Sequence, residues 1–237
     1  MTKLSVNINK IATIRNARGG KHPDIVYAAI MCQKYGADGI TIHPRPDQRH
    51  ITKQDVYDIK PNISTEYNIE GYPSKEFIKM IIDIKPDQVT LVPDSPDVIT
   101  SCAGWDTVKF QRFLKVIIKE FHSYNIRTSI FVDPNIEMIE GAKLCGADRI
   151  ELYTEAFAKG FHVNKERAIK DYIISAKKAT ELGLGINAGH DLNLQNLEFF
   201  AKNIPNLDEV SIGHAIISDA LYLGLENTIQ MYKRLII

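Results

Sequence analysis

Strand-like and helix-like segments alternate along this chain with a regularity that few folds accommodate. Eight short runs rich in β-branched residues read as strands: Leu4–Asn9, Gly39–His43, Thr65–Glu70, Gln88–Val92, Arg127–Val132, Arg149–Leu152, Leu184–Ala188 and Glu209–Gly213. Helical patterns follow near residues 23–35, 53–60, 74–83, 107–124, 135–144, 165–182, 193–202 and 219–235. Pro23 in the first turn and Gly36 past the end give the first helix its start and stop. Eight βα units in 237 residues fit a TIM (β/α)8 barrel, an α/β fold of roughly 250 residues. No Pro/Gly/Ser-rich linker interrupts the chain, so residues 1–237 are expected to form one domain. A doubly wound sheet is the competing arrangement. It usually has fewer strands and a Gly-rich first turn, and Asn9-Lys10-Ile11-Ala12 is not one.

Short echoes mark the junctions. Gly36-Ala37-Asp38 returns as Gly146-Ala147-Asp148, and Ile59-Lys60-Pro61 as Ile84-Lys85-Pro86. Each echo is expected to repeat one helix-to-strand turn. Two strand-to-helix loops are long, Pro93–Asp106 and Tyr153–Lys165, and their small and polar residues suit a lid.

Composition narrows the function. The formal net charge is zero, and aromatics do not interleave with basic residues, which argues against nucleic acid or a membrane surface as partner. No apolar stretch approaches the roughly 20 residues of a membrane span, and no signal-peptide pattern opens the chain. Cys32, Cys102 and Cys145 are odd in number and scattered, which fits the reducing cytoplasm rather than a disulfide framework.

The strand ends hold the chemistry. Gly39-Ile40-Thr41-Ile42 runs into His43-Pro44-Arg45-Pro46-Asp47-Gln48-Arg49-His50, a buried strand ending in histidines and arginines. Other strands end in Asn7 and Asn9 with Lys10, in Glu70, in Glu151, in Asn187-Ala188-Gly189-His190 and in Ser211-Ile212-Gly213-His214. The barrel interior is expected to be layered with apolar side chains, so polar groups at its top must face ligand, water or one another. The first two loops hold Lys10, Arg15, Arg18, Lys21, Arg45 and Arg49 against Asp24 and Asp47, which implies an anionic substrate. Gly189 and Gly213 leave backbone N–H groups open after strands seven and eight, the phosphate cradle of this fold. Two anion sites follow, one from these loops with Arg18 and one around Arg45.

Each group has a structural alternative. A lone strand-end histidine is more often a hydrogen-bonded structural residue, but His43, Glu70 and His190 together favour acid–base chemistry. A dry Glu70 needs a partner or a raised pKa. Glu151 is either functional or an ion-pair partner of a loop arginine. Arg15 and Lys21 read as solvated or structural, and Asp133-Pro134 as a helix cap. No lysine ends strand six or seven, where a Schiff-base aldolase of this fold places one. No donor pair shows a recognisable metal-ligand spacing, so no metal is expected.

Val6-Asn7-Ile8-Asn9-Lys10-Ile11-Ala12-Thr13-Ile14-Arg15-Asn16-Ala17-Arg18-Gly19, the stretch from Gly39 to Ile51, Leu91-Val92-Pro93, Asn187-Ala188-Gly189-His190 and Ile212-Gly213-His214-Ala215-Ile216 resemble the pyridoxine 5′-phosphate synthase family, in order from about Leu4 to Leu235. The resemblance implies a barrel assembled as a homo-octamer through extra helical segments. It also implies condensation of 3-amino-2-oxopropyl phosphate with 1-deoxy-D-xylulose 5-phosphate to pyridoxine 5′-phosphate, phosphate and water, with no cofactor. Asn7, Arg18, Asp191, Gly213 and His214 match positions that hold the amino-ketone phosphate. Asn9, Lys10, Arg45, His50 and Thr100 match those that hold deoxyxylulose phosphate. His43 and Glu70 match proton acceptors, His190 the proton donor, and Glu151 a transition-state stabiliser. Two positions depart: many members have Asp-His at Asn9-Lys10, and Gly at Asp191. A metal-dependent sugar-phosphate isomerase or epimerase, and a non-catalytic protein that binds a vitamin B6 phosphate, are the alternatives.

Overall fold

Four aspartates fasten the rim at which the strands begin. The computed structural model describes residues 1–93 and 103–236. Its strands are β1 Lys3–Asn7, β2 Gly39–Ile42, β3 Glu66–Gly71, β4 Gln88–Leu91, β5 Arg127–Val132, β6 Arg149–Leu152, β7 Gly185–Gly189 and β8 Leu207–Ile212. All pair in parallel, each with its sequence neighbour, and β8 closes on β1. Asp38 precedes β2, and its carboxylate accepts from Leu4 N of β1. Asp87, Asp148 and Asp208 do the same for Tyr67 of β3, Thr128 of β5 and Ile186 of β7. The Asp38, Asp87 and Asp148 carbonyls then accept from Glu66, Arg127 and Gly185, the first residues of the next odd strands. The Gly-Ala-Asp echo is therefore one recurring junction, with Gly36 and Gly146 both at positive φ. The Lys-Pro echo is not. Lys85 ends its helix in the left-handed region, whereas Lys60 opens a short 3₁₀ turn.

Among the described residues the α-helices are α1 Asn9–Arg18, α2 Ile25–Lys34, α3 Lys53–Ile59, α4 Lys75–Ile84, α5 Gln111–Ser123, α6 Ile136–Cys145, α7 Glu155–Glu181, α8 Leu197–Asn203, α9 His214–Leu223 and α10 Leu225–Arg234. Side-chain caps explain four of the starts. Asp24, Ser74 and Asn135 side chains cap α2, α4 and α6, and Thr52 with Asp55 forms a capping box on α3. Pro23 therefore lies before α2 rather than in its first turn. Asp133 is not a cap; its carboxylate accepts from Gly104 N. The α5 residues Leu114, Ile117, Ile118 and Phe121 form one buried stripe at helical spacing. Burying such a side chain contributes about 1.5–3 kcal/mol.

Three segments differ from expectation. Asn9–Arg18 is helical and clasps the loop after β2: Arg15 makes two bonds to the Asp55 carboxylate and a third to His50 O. Tyr153–Lys165 is not an open loop, because α7 begins at Glu155 and breaks only at Asn164 (φ −159°, ψ 95°). The last helical stretch starts at His214 and is divided at Gly224 (φ 77°).

The interior also reverses expectation. Strand alternation points Leu4, Val6, Ile40, Ile42, Ile69, Ile130, Ile150, Val210 and Ile212 outward, where they are fully buried under the helices. Inside lie Ser5, Thr41, Asn68, Thr90, Ser129 and Asn187. Ser5 Oγ meets Thr41 Oγ1 at 2.7 Å, and Asn68 bridges the Thr41 and Thr90 hydroxyls. Below them Arg127 pairs with Glu66, and Arg149 Nη1 lies 3.9 Å from Glu209 Oε2. The hydrophobic core is thus a ring around a polar axis.

Candidate active site

At the opposite rim the strand ends surround a cavity of about 770 Å³. Asn7, Asn9, Lys10, His43, Arg45, His50, Glu70, Glu151, His190, Asp191, Gly213 and His214 all line it. Arg18 does not. It is exposed at the far end of α1, about 13 Å along the axis from Asn9 at 1.5 Å per residue. Thr100 lies outside the described residues, as does most of the Pro93–Asp106 loop. The walls also include residues that sequence reasoning did not select: Thr13, Val92, Phe131, Tyr153, Glu155 and Asn193 among them. Tyr153 directly follows β6, a position that strand-end bookkeeping can find.

Hydrogen bonds between strand ends fix the site. Asn7 Nδ2 donates to Glu70 Oε2 at 3.4 Å, which gives the carboxylate its expected partner. Asn7 Oδ1 accepts from Asn9 N, and Asn9 Oδ1 accepts from His43 N at 2.9 Å. One asparagine pair therefore ties β1 to both β2 and β3. His43 and His50 face each other with ring centroids 6.2 Å apart. His50 Nδ1 accepts from Ile51 N, so its Nε2 carries the proton of the neutral ring.

Electrostatics separate these groups. Burial lowers His43 to about 3, helped by neighbouring His50 and Arg45. Burial, Arg45 and Lys10 lower His50 to about 4. Both rings are neutral near pH 7 and can accept protons or hydrogen bonds. Glu151 is only 3% exposed, and its Oε2 has no hydrogen-bond partner. Burial and the nearby Glu70 raise its pKa well above the usual carboxylate range. Among the described residues it makes no ion pair with a loop arginine; it lies near a second carboxyl group, an arrangement that pushes the two pKa values apart.

The two last loops differ from each other. Gly213 packs against β1, where an added Cβ would sit 3.0 Å from three Asn7 atoms. It leads into α9, whose first turn has no side-chain cap, leaving N–H groups that suit an anion. The loop after β7 is closed instead: Asp191 N donates to Gly189 O at 3.0 Å and to Thr154 Oγ1 at 3.2 Å. Its amide is occupied, contrary to the expected cradle at that position. Among the described residues no three His, Cys, Asp or Glu side chains form a group able to hold a metal.

Comparison with known proteins agrees with this geometry. The family model for pyridoxal phosphate biosynthesis protein PdxJ matches residues 4–237. The pyridoxine 5′-phosphate synthase of Cytophaga hutchinsonii is 64% identical over 99% of this chain and 98% of its own length. That of Flavobacterium johnsoniae is 62% identical over 99% of both chains. Among solved structures, phosphoribosylanthranilate isomerase from Thermotoga maritima superposes with a TM-score of 0.63 at 12% identity, covering 100% of this chain and 98% of the other. Thiamine phosphate pyrophosphorylase from Pyrococcus furiosus gives 0.62 at 12% identity, over 99% and 95%. At that identity the likeness is one of fold alone. Over nearly its whole length, this chain belongs to the PdxJ family of pyridoxal phosphate biosynthesis proteins.

Proposed function

We propose that the cavity condenses 3-amino-2-oxopropyl phosphate with 1-deoxy-D-xylulose 5-phosphate, giving pyridoxine 5′-phosphate, phosphate and water. One observation carries the reading: four imidazoles and four carboxyl groups line one cavity together with Lys10, Arg45, Arg49 and an uncapped helix start. The amine of one substrate attacks the ketone of the other, so the imine forms between substrates and needs no enzyme lysine. Dehydration, loss of phosphate and ring closure then require repeated proton transfer.

The residues divide this work by environment. Lys10, Arg45 and His50 receive the deoxyxylulose phosphate, with Thr100 and Asn9 assigned by resemblance. The start of α9 at Gly213 and His214 receives the other phosphate, beside Asn7. A phosphate dianion beside Arg45 offsets the positive field that depresses His43, so binding itself makes that imidazole a better base. His43 and Glu70 take protons, and His190 gives them. Glu151, held protonated, donates a hydrogen bond to oxygen as negative charge develops there. Arg18, which the resemblance also assigns to the amino-ketone phosphate, lies outside the lining of this chain's cavity.

Assembly and location follow the same reading. Residues 1–237 act as one domain, with α10 returning to the start of the barrel through Gln230 to Tyr35 O and Lys233 to Asp38. Exposed Leu221, Tyr222 and Met231 on α9 and α10 suit burial in a homo-octamer. No helix among the described residues is long and apolar enough to cross a membrane. Cys32 and Cys145, free and buried, fit the cytoplasm. The test is to incubate the protein with both substrates in EDTA and follow pyridoxine 5′-phosphate and phosphate together. Catalytic formation of both in equal amounts is expected. Turnover only after adding a divalent metal would reject the cofactor-free reading.

A further inference from the structure

His190 is held in a conformation that its surroundings must enforce. Its φ is +65°, rare for a residue with a Cβ. The bond from Asp191 N to Gly189 O closes a three-residue turn around it, among the tightest the backbone makes. Thr154 clamps both ends of that turn: its hydroxyl donates to Gly189 O and accepts from Asp191 N. Asn196 Nδ2 donates to Asp191 O at 3.2 Å from below. Gly189 permits the approach, because a Cβ there would lie 2.2 Å from Ser211 O. A strained conformation held by this many bonds is typical of a functional position.

The turn brings Asp191 Oδ2 to 2.7 Å from His190 Nδ1. The Asp191 carboxylate turns onto the imidazole, and its amide turns inward to Thr154 and Gly189. Neither group is arranged as a phosphate ligand.

We infer that Asp191 is a positioning residue that holds His190 Nδ1–H, so that Nε2 is the nitrogen that delivers a proton to the substrate. The inference rests on the reading of His190 as proton donor. In the dehydration steps the Nε2–H bond breaks and its electron pair stays on the ring. The proton leaves with the departing hydroxyl as water. Among the described residues, three other groups lie on the same side of the cavity. Glu151 from β6 lines the same cavity, and the His190 ring partly opposes the rise that burial gives its carboxyl. The Tyr153 ring meets the His190 ring edge-on at 5.4 Å. Glu155, at the start of α7, lines the same cavity. A carboxylate bonded to Nδ1 favours the imidazolium over what a neutral amide would, which is the contrast that the test below reads.

The test compares wild type, Asp191→Asn, His190→Gln and the double variant, each checked for folding by circular dichroism. Asp191→Asn is expected to lower kcat about 10- to 100-fold. KM for the amino-ketone phosphate stays within about threefold, and the alkaline limb of kcat moves about one unit to lower pH. The double variant is no slower than His190→Gln. Unchanged kcat with a raised KM would make Asp191 a substrate ligand and overturn the inference, as would an unmoved alkaline limb. ¹⁵N NMR of the ring separates this from the broader proposal. A wild type that makes no product refutes the synthase reading, while loss of the Nδ1–H signal in Asp191→Asn still supports the positioning role. A signal unaffected by the substitution refutes that role.

Discussion

Glu209 offers a test of the polar barrel axis through stability alone. It is 1% exposed near the rim where the strands begin, hydrogen-bonded to Glu66 and 3.9 Å from Arg149. Burial and the Glu66 charge push it up to about 8. In the unfolded chain a glutamate titrates near about 4.3. Between those values the folded protein keeps a proton that the unfolded chain has released. Glu209 therefore contributes stability that is complete below about pH 4.3 and lost by about 1.4 kcal/mol per unit as pH rises toward 8. From pH 5.5 to 7.5 the loss is about 2.7 kcal/mol. Glu209→Gln imitates the protonated acid and can still donate to Glu66, so the variant does not suffer this loss. His43 and His50 act in the opposite direction, since their depressed values favour folding as pH rises from about 3–4 to 6.5. They are common to both proteins and cancel in the difference. Denaturant unfolding at pH 5.5, 6.5 and 7.5 should show Glu209→Gln gaining about 1–3 kcal/mol on wild type across the series. A difference that stays flat with pH would mean that Glu209 is ionised in the folded protein, and the argument for a shared proton would fail.

Other outcomes follow from the same geometry. His43→Gln should flatten acid destabilisation between pH 6.5 and 4, removing up to about 1.4 kcal/mol per unit, as read by thermal melts across that range. Gly189→Ala forces a Cβ against Ser211 O and should cost about 3 kcal/mol, or roughly 6–12 °C in melting temperature; an unchanged melting temperature would contradict the close approach. Glu151→Gln should fold at least as stably as wild type at neutral pH, because burial beside Glu70 already disfavours the charged carboxylate. Its kcat should still fall about 10- to 100-fold, measured by product formation under saturating substrates. Arg15→Lys loses the two-pronged bond to Asp55 and should raise KM for deoxyxylulose phosphate severalfold while leaving kcat nearly intact.

The barrel was legible because strand alternation is a local signal, and eight β-branched runs between helical patterns leave little choice of fold. The site was legible where a residue sits on a strand end, since register alone delivers Asn7, His43, Glu70, Glu151 and His190 to one rim. Position beyond a strand end depends on structure that the sequence hides. Asn9 reads as the end of the first strand and Lys10, Arg15 and Arg18 as its loop, yet Asn9–Arg18 forms α1, whose rise carries Arg18 away from the cavity. Gly160 and the break at Asn164 disguise the first half of α7 as a loop. The polar interior was missed for a different reason. Ser5, Thr41, Asn68 and Thr90 satisfy one another, and a hydrogen-bonded set inside a barrel looks in sequence like a solvent-facing side.

The rim aspartates also determine where this polypeptide can be severed. Each carboxylate ties a strand to the one before it, so the smallest self-fastened piece is a two-strand module. A chain divided at residues 62–64 keeps Leu4 and Asp38 on one fragment, whereas a cut at Gly19–Gly20 sends them to different fragments. Four modules of this kind make the barrel a cyclic array of pairs, with natural seams after each even-numbered strand's helix. Circular permutants opened at those seams inherit every carboxylate tie intact, and the rim that holds the fold together is the one that the chemistry does not use.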